Sequence, residues 1–117
     1  MAAPNIVNVA TITMKTAVQA VGTSAAAIVT NSSSSGKVFK VNALYISNVD
    51  GSNSADISID VYRSSTAYYV AKTIRVPADA TLDVLSKPIS LEEGDALRLT
   101  ASAASDLQAV CSYEELS

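Results

Sequence analysis

The stretch "ADISIDVY", residues 55–62, decides how this chain folds. Ile57, Ile59 and Val61 share one parity, while Asp56, Ser58, Asp60 and Tyr62 share the other. Side chains on a strand alternate between faces, so this stretch reads as a strand with one buried face. "ALRLTAS" (96–102) repeats the pattern, with Leu97, Leu99 and Ala101 opposed to Arg98 and Thr100. "LQAVCSY" (107–113) sets Leu107, Ala109, Cys111 and Tyr113 on one face. "KVFKVNALYIS" (37–47) breaks the rule, because Val38, Phe39, Val41, Leu44 and Ile46 do not keep one parity. A bulge, or a strand buried on both faces, accounts for such a break.

Outward from these runs, polar punctuation recurs at short intervals. "TNSSSSGK" (30–37), "NVDGSNSAD" (48–56), "RSSTA" (63–67), "VPADA" (76–80), "LEEGD" (91–95) and "SAASD" (102–106) read as turns or loops. Adding "NIVNVATIT" (5–13), "AAAIVT" (25–30), "YYVAKTIRV" (68–76) and "ATLDVLS" (80–86) gives about eight short strands. That spacing predicts an all-β, antiparallel β-sandwich, of jelly-roll or immunoglobulin-like type. Ala-rich composition over 14–29 favours helix, but Gly22-Thr23-Ser24 interrupts it, so two short strands are expected there. One domain over residues 1–117 is expected, with residues 1–9 as an extended N-terminal arm or a plain first strand. "NSSSSG" (31–36) suits a mobile surface loop.

Composition narrows the function. Aromatics make up 5 % and Trp is absent, so a core of Val, Ile, Leu and Ala buries modest area per residue. A homo-oligomer stabilised by partner subunits is expected. Eight basic residues stand singly against eleven acidic ones, leaving a net charge of −3 and no basic cluster for phosphates; nucleic acid is not an expected partner. The apolar window 17–30 is interrupted by Gln19, Gly22, Thr23 and Ser24, too short and polar for a bilayer span. "MAAPNIVNVATIT" carries no basic n-region and no continuous apolar run, so synthesis in a cytoplasm without a signal peptide is expected.

Candidate chemistry is sparse. Glu92, Glu93 and Asp95 crowd around Gly94, but no His is present and calcium needs six to eight oxygens, so the cluster reads as a hairpin corner. Glu114 and Glu115 are expected to charge a sheet's end and discourage edge pairing. "DGSNSAD" (50–56) lacks the ligand spacing of a calcium loop, and Asp50-Gly51 is a turn signal. One cysteine and no His exclude Ser-His and Cys-His pairs and the usual zinc sets; Cys111 is expected inside a strand as a structural thiol. No catalytic residue, metal or cofactor is predicted, and the chain reads as a non-enzyme. Tyr68 and Tyr69 face opposite ways, so at most one joins the core while the other is displayed, as an interface residue or as a surface Tyr covering its own sheet. Pro4, Ile6 and Val7 are interface candidates too, because Pro4 is tolerated at an edge and the segment reads as an arm that adds to a neighbouring sheet.

"MAAPNIVNVATIT" (1–13), "GKVFKVNALYISNVDG" (36–51) and "IRVPADATLDVLSKPISLEEGDALRLTAS" (74–102) resemble small virion structural proteins of tailed bacteriophages, especially those of marine bacteria and cyanobacteria. The resemblance spans nearly the whole chain and lies in the order of blocks rather than in one motif. It implies a β-sandwich component of capsid, neck or tail, with no catalytic residues to transfer. The expectation is a virion protein, foremost a capsid decoration (cement) protein bound to the major capsid protein. A neck, collar or tail-associated protein is the alternative. A carbohydrate- or receptor-binding sandwich, with Tyr68 or Tyr69 and the loops 31–36 and 50–56 forming a rim, is the rival from another class.

Overall fold

The computed structural model describes residues 6–117. A short 3-10 helix, Ile6–Asn8, precedes nine strands: β1 (Ile12–Ala20), β2 (Ala26–Thr30), β3 (Val38–Asn48), β4 (Ala55–Arg63), β5 (Thr66–Val76), β6 (Thr81–Asp83), β7 (Ile89–Leu91), β8 (Ala96–Ala101) and β9 (Leu107–Leu116). All pairing is antiparallel, in two sheets. The first sheet runs β1-β9-β3-β6, with β7 also on β3; the second runs β2-β8-β4-β5.

This order chooses between the two sandwich types. First strand pairs last, β2 pairs β8, β3 pairs the β6/β7 segments, and β4 pairs β5. That is one long hairpin folded at the β4–β5 turn and rolled up, the jelly-roll arrangement. The expected eight strands become nine: the strand expected over 80–86 shortens to β6, β7 is an additional strand beyond it, and residues 84–88, with Leu85 buried and Pro88 unable to donate to the ladder, separate the two.

The core lies between the sheets. Ile57 and Ile59 from β4 meet Leu97 and Leu99 from β8, facing Leu44 and Ile46 from β3 and Leu107 and Cys111 from β9. The parity break in β3 is a bulge: its register against β9 shifts between Val41 and Ala43, so Phe39 and Val41 face inward before it and Leu44 and Ile46 after it.

Three expectations change. The strand expected over 5–13 begins only at Ile12, and residues 6–8 are helical rather than an extended arm. Pro4 lies outside the described residues. The serine loop at 31–36 is tied down at both ends: Asn31 Nδ2 donates to Lys37 O and Leu91 O at 2.9 and 3.0 Å, and Gly36 N–H donates to Glu93 Oε2 at 2.9 Å. Glu115 guards no edge, because β9 lies between β1 and β3; its carboxylate accepts from Lys15 at 2.8 Å and Lys37 at 3.1 Å.

The β4–β5 turn is a two-residue connection, Ser64-Ser65, between paired Arg63 and Thr66, with φ of 51° and 61°. Both residues are left-handed, as a type I′ hairpin requires, yet neither is the preferred Asn or Gly. Replacing the pair by Asn-Gly is expected to raise stability by about 1 kcal/mol, a melting shift of about 4 °C in a thermal scan.

Candidate functional site

The acidic corner is a buried strut. Gly94 takes φ 90°, which lets the β7–β8 connection close tightly. Asp95 then points inward, 1 % exposed, and accepts from Glu92 N–H at 2.8 Å and from Arg63 Nε and Nη2 at 2.7 and 2.6 Å. The Arg63 guanidinium holds the Asp95 carboxyl below its ordinary range against the opposing cost of burial. Glu92 is a second partner of Arg63 at 2.8 Å, and Glu93 caps Gly36. The carboxylates therefore face different partners, and among the described residues no group of three or more His, Cys, Asp or Glu converges as a metal would need. Asp50 is engaged in the same manner, accepting from Ser52 N–H at 2.8 Å and Asn53 at 3.2 Å.

Acid should undo this chemistry. Lys15 holds Glu115 below its ordinary range as Arg63 does Asp95. A carboxylate with a lowered folded-state pKa contributes stability that is complete above its unfolded value. That contribution fades as pH falls through the folded one. Urea midpoints are expected to be level from pH 7 to about 5 and to fall below about pH 4.

Cys111 is fully buried, and burial alone pushes its thiol up to about 11, so it is an inert core group at neutral pH. Tyr68 and Tyr69 are paired with Val61 and Asp60 on β4, and neither joins the core: they are 59 % and 51 % exposed. Both lie on β5, an edge strand of the second sheet that pairs only β4 among the described strands. Lys72 lies 4.7 Å over the Tyr69 ring. Val7 is exposed in the 3-10 helix, which Ile6 begins. The loops 31–36 and 50–56 flank the two ends of β3, roughly 30 Å apart at strand rise, and cannot share a rim.

The surface that stands out was not singled out by sequence. On the outer face of the first sheet, Val18 pairs Val110, which pairs Tyr45, making one apolar row across β1, β9 and β3. These three are 73 %, 41 % and 42 % exposed. A second row, Ile12–Leu116–Val38, crosses the same three strands, and Met14 lies between the rows. The only opposite charges set cross-strand on this three-stranded face are Lys40 and Glu114. The second sheet's outer face is polar instead: Arg98 donates to Asp60 at 2.9 Å while stacked 3.8 Å over Tyr62, and Arg75 pairs Asp56 at 3.5 Å. Exposed apolar rows of this kind on one sheet face mark an interaction surface. The available signal was β1 itself, whose apolar residues alternate on the parity that faces out.

No family model and no curated protein matches this chain. A solved structure does. A protein of Bacillus endospore appendages, described as a novel family of disulfide-linked pili, superposes with a TM-score of 0.53 over 92 % of this chain and 88 % of its own. The two chains share 16 % identity, so the likeness is one of fold. It spans nearly the whole of both chains.

Proposed function

We propose that this chain is a non-enzymatic structural subunit of a bacteriophage virion, foremost a capsid decoration protein that binds and stabilises the head lattice. The observation that carries this reading is the exposed apolar face of Val18, Val110 and Tyr45, flanked by Ile12 and Met14. Such a face gains free energy only when another surface covers it. The appendage protein sharing the fold is itself a component of a polymeric structure, which supports an assembling role. That protein's pili are disulfide-linked; here the one cysteine is buried, so the proposed assembly is non-covalent. Small size and net charge −3 favour the outer capsid over neck, collar or tail.

The carbohydrate-binding alternative draws less support, since Tyr68 and Tyr69 diverge and the two loops are far apart. Specific glycan binding lost on Tyr69→Ala would favour it. The virion reading is tested by quantitative mass spectrometry of density-purified particles. The expected result is this chain at many copies per particle; its recovery only in the unassembled fraction of the lysate would refute the proposal.

A further inference from the structure

Five strands edge the two sheets, β6 and β7 sharing one edge, and four are blunted against pairing. β2 is five residues long with a register shift between Ala27 and Val29. β6 and β7 have three residues each. β5 is longer but carries two register shifts, Lys72, Arg75, and a left-handed Thr73 with φ 55° whose N–H is spent on Ser58 Oγ at 3.0 Å. These are the usual devices that keep edges from pairing.

β1 has none of them except Lys15. Its nine residues pair β9 without a register shift from Ile12↔Leu116 to Ala20↔Gln108. Thr11 and Ser117 exchange both backbone bonds at 2.9 Å, and Val21 N–H donates to Leu107 O at 2.9 Å. Antiparallel bonding alternates, so Thr13, Lys15, Ala17 and Gln19 turn their N–H and C=O toward β9. Ile12, Met14, Thr16, Val18 and Ala20 turn theirs away from the sheet, where among the described residues no strand pairs with them.

We infer that β1 pairs antiparallel with β1 of a second copy about a two-fold axis at Thr16, joining two first sheets into one. This rests on the reading of the chain as an assembling subunit and names its first partner. The strand is self-complementary in that register. Ile12 meets Ala20, Met14 meets Val18, and Thr16 meets itself. These are the residues whose backbone groups face outward, so all five pair and roughly ten backbone bonds form. The one charge, Lys15, falls opposite Ala17, so no like charges oppose each other. Gln19 falls opposite Thr13 of the second copy, and Gln19 Oε1 is buried with no hydrogen-bond donor in its own subunit. On the outer face Val18 then packs beside Met14 of the second copy and Ile12 beside Ala20, so apolar side chains meet across the seam, and the interface is isologous.

The test uses the full chain in analytical ultracentrifugation. Thr16→Lys and Thr16→Glu each set like charges face to face on the axis, and each is expected to weaken the dimer at least tenfold. Mixing the two variants is expected to restore a heterodimer, because opposite charges then meet; circular dichroism checks that both variants stay folded. A monomer at every wild-type concentration overturns the inference, as does a dimer indifferent to both substitutions or no recovery on mixing. A monomer that still incorporates into particles sinks this inference alone, whereas a dimer absent from particles sinks only the virion reading.

Discussion

Replacing Asn31 with Asp is expected to cost about 4 kcal/mol of folding stability, the largest loss among the changes considered. Asn31 is fully buried where β2 ends. Its amide nitrogen donates to two carbonyls, Lys37 O and Leu91 O, and its Oδ1 accepts from Ser35 Oγ at 2.5 Å. Its backbone is engaged too, with N–H on Asp95 O at 2.8 Å and C=O accepting from Gly94 N at 2.7 Å. One side chain thus ties the loop before β3 to the end of β7. A carboxylate has the same shape and no donor. It would face two carbonyl oxygens in a buried place, losing both bonds and adding unpaired charge. Urea unfolding at pH 7 measures the loss. At pH 4.5, where a buried carboxyl is protonated, the Asn31→Asp variant should recover part of it. A loss under about 1 kcal/mol at pH 7 would show that the knot does not hold the corner.

The second large effect is expected at Asp95. Asp95→Ala removes the acceptor for Arg63 and for the Glu92 N–H together, and should cost about 3 kcal/mol. Its neighbour is expected to behave differently. Glu92 is 68 % exposed and meets the same guanidinium in water, so Glu92→Gln should change stability by less than about 0.5 kcal/mol. Equal effects at the two positions would contradict a buried strut. The Asp95→Ala variant should also lose stability less steeply below about pH 4, because one depressed carboxylate is gone.

What the sequence showed and what it hid divide along physical lines. Period-two patterning at Ile57, Ile59, Leu97 and Leu99 is local, and it named the core faces and the sandwich. The parity break in β3 announced its bulge for the same reason. Arg63 and Asp95 are 32 residues apart, and nothing local to either marks the other as its partner. Asn31 and Asn48 looked like loop residues. Each is nonetheless buried at one end of β3, Asn48 donating to Asn53 O and Val76 O at 2.9 and 3.0 Å. Glu115 looked like an edge guard because its strand comes last, whereas rolling up the hairpin places the last strand in the middle of a sheet. β1 hid its role in the same way. Its alternation is regular, but the sheet position leaves the apolar parity outside, and only the fold reveals that it is uncovered.

The proposal that this jelly roll is a virion building block is tested most directly by imaging intact particles at a resolution that distinguishes β-sandwiches. The account predicts density matching this domain on the outer surface of the head, with the Val18–Val110–Tyr45 face covered by a neighbouring subunit. Particles in which no density fits the domain, or in which that face stands open to solvent, would contradict it.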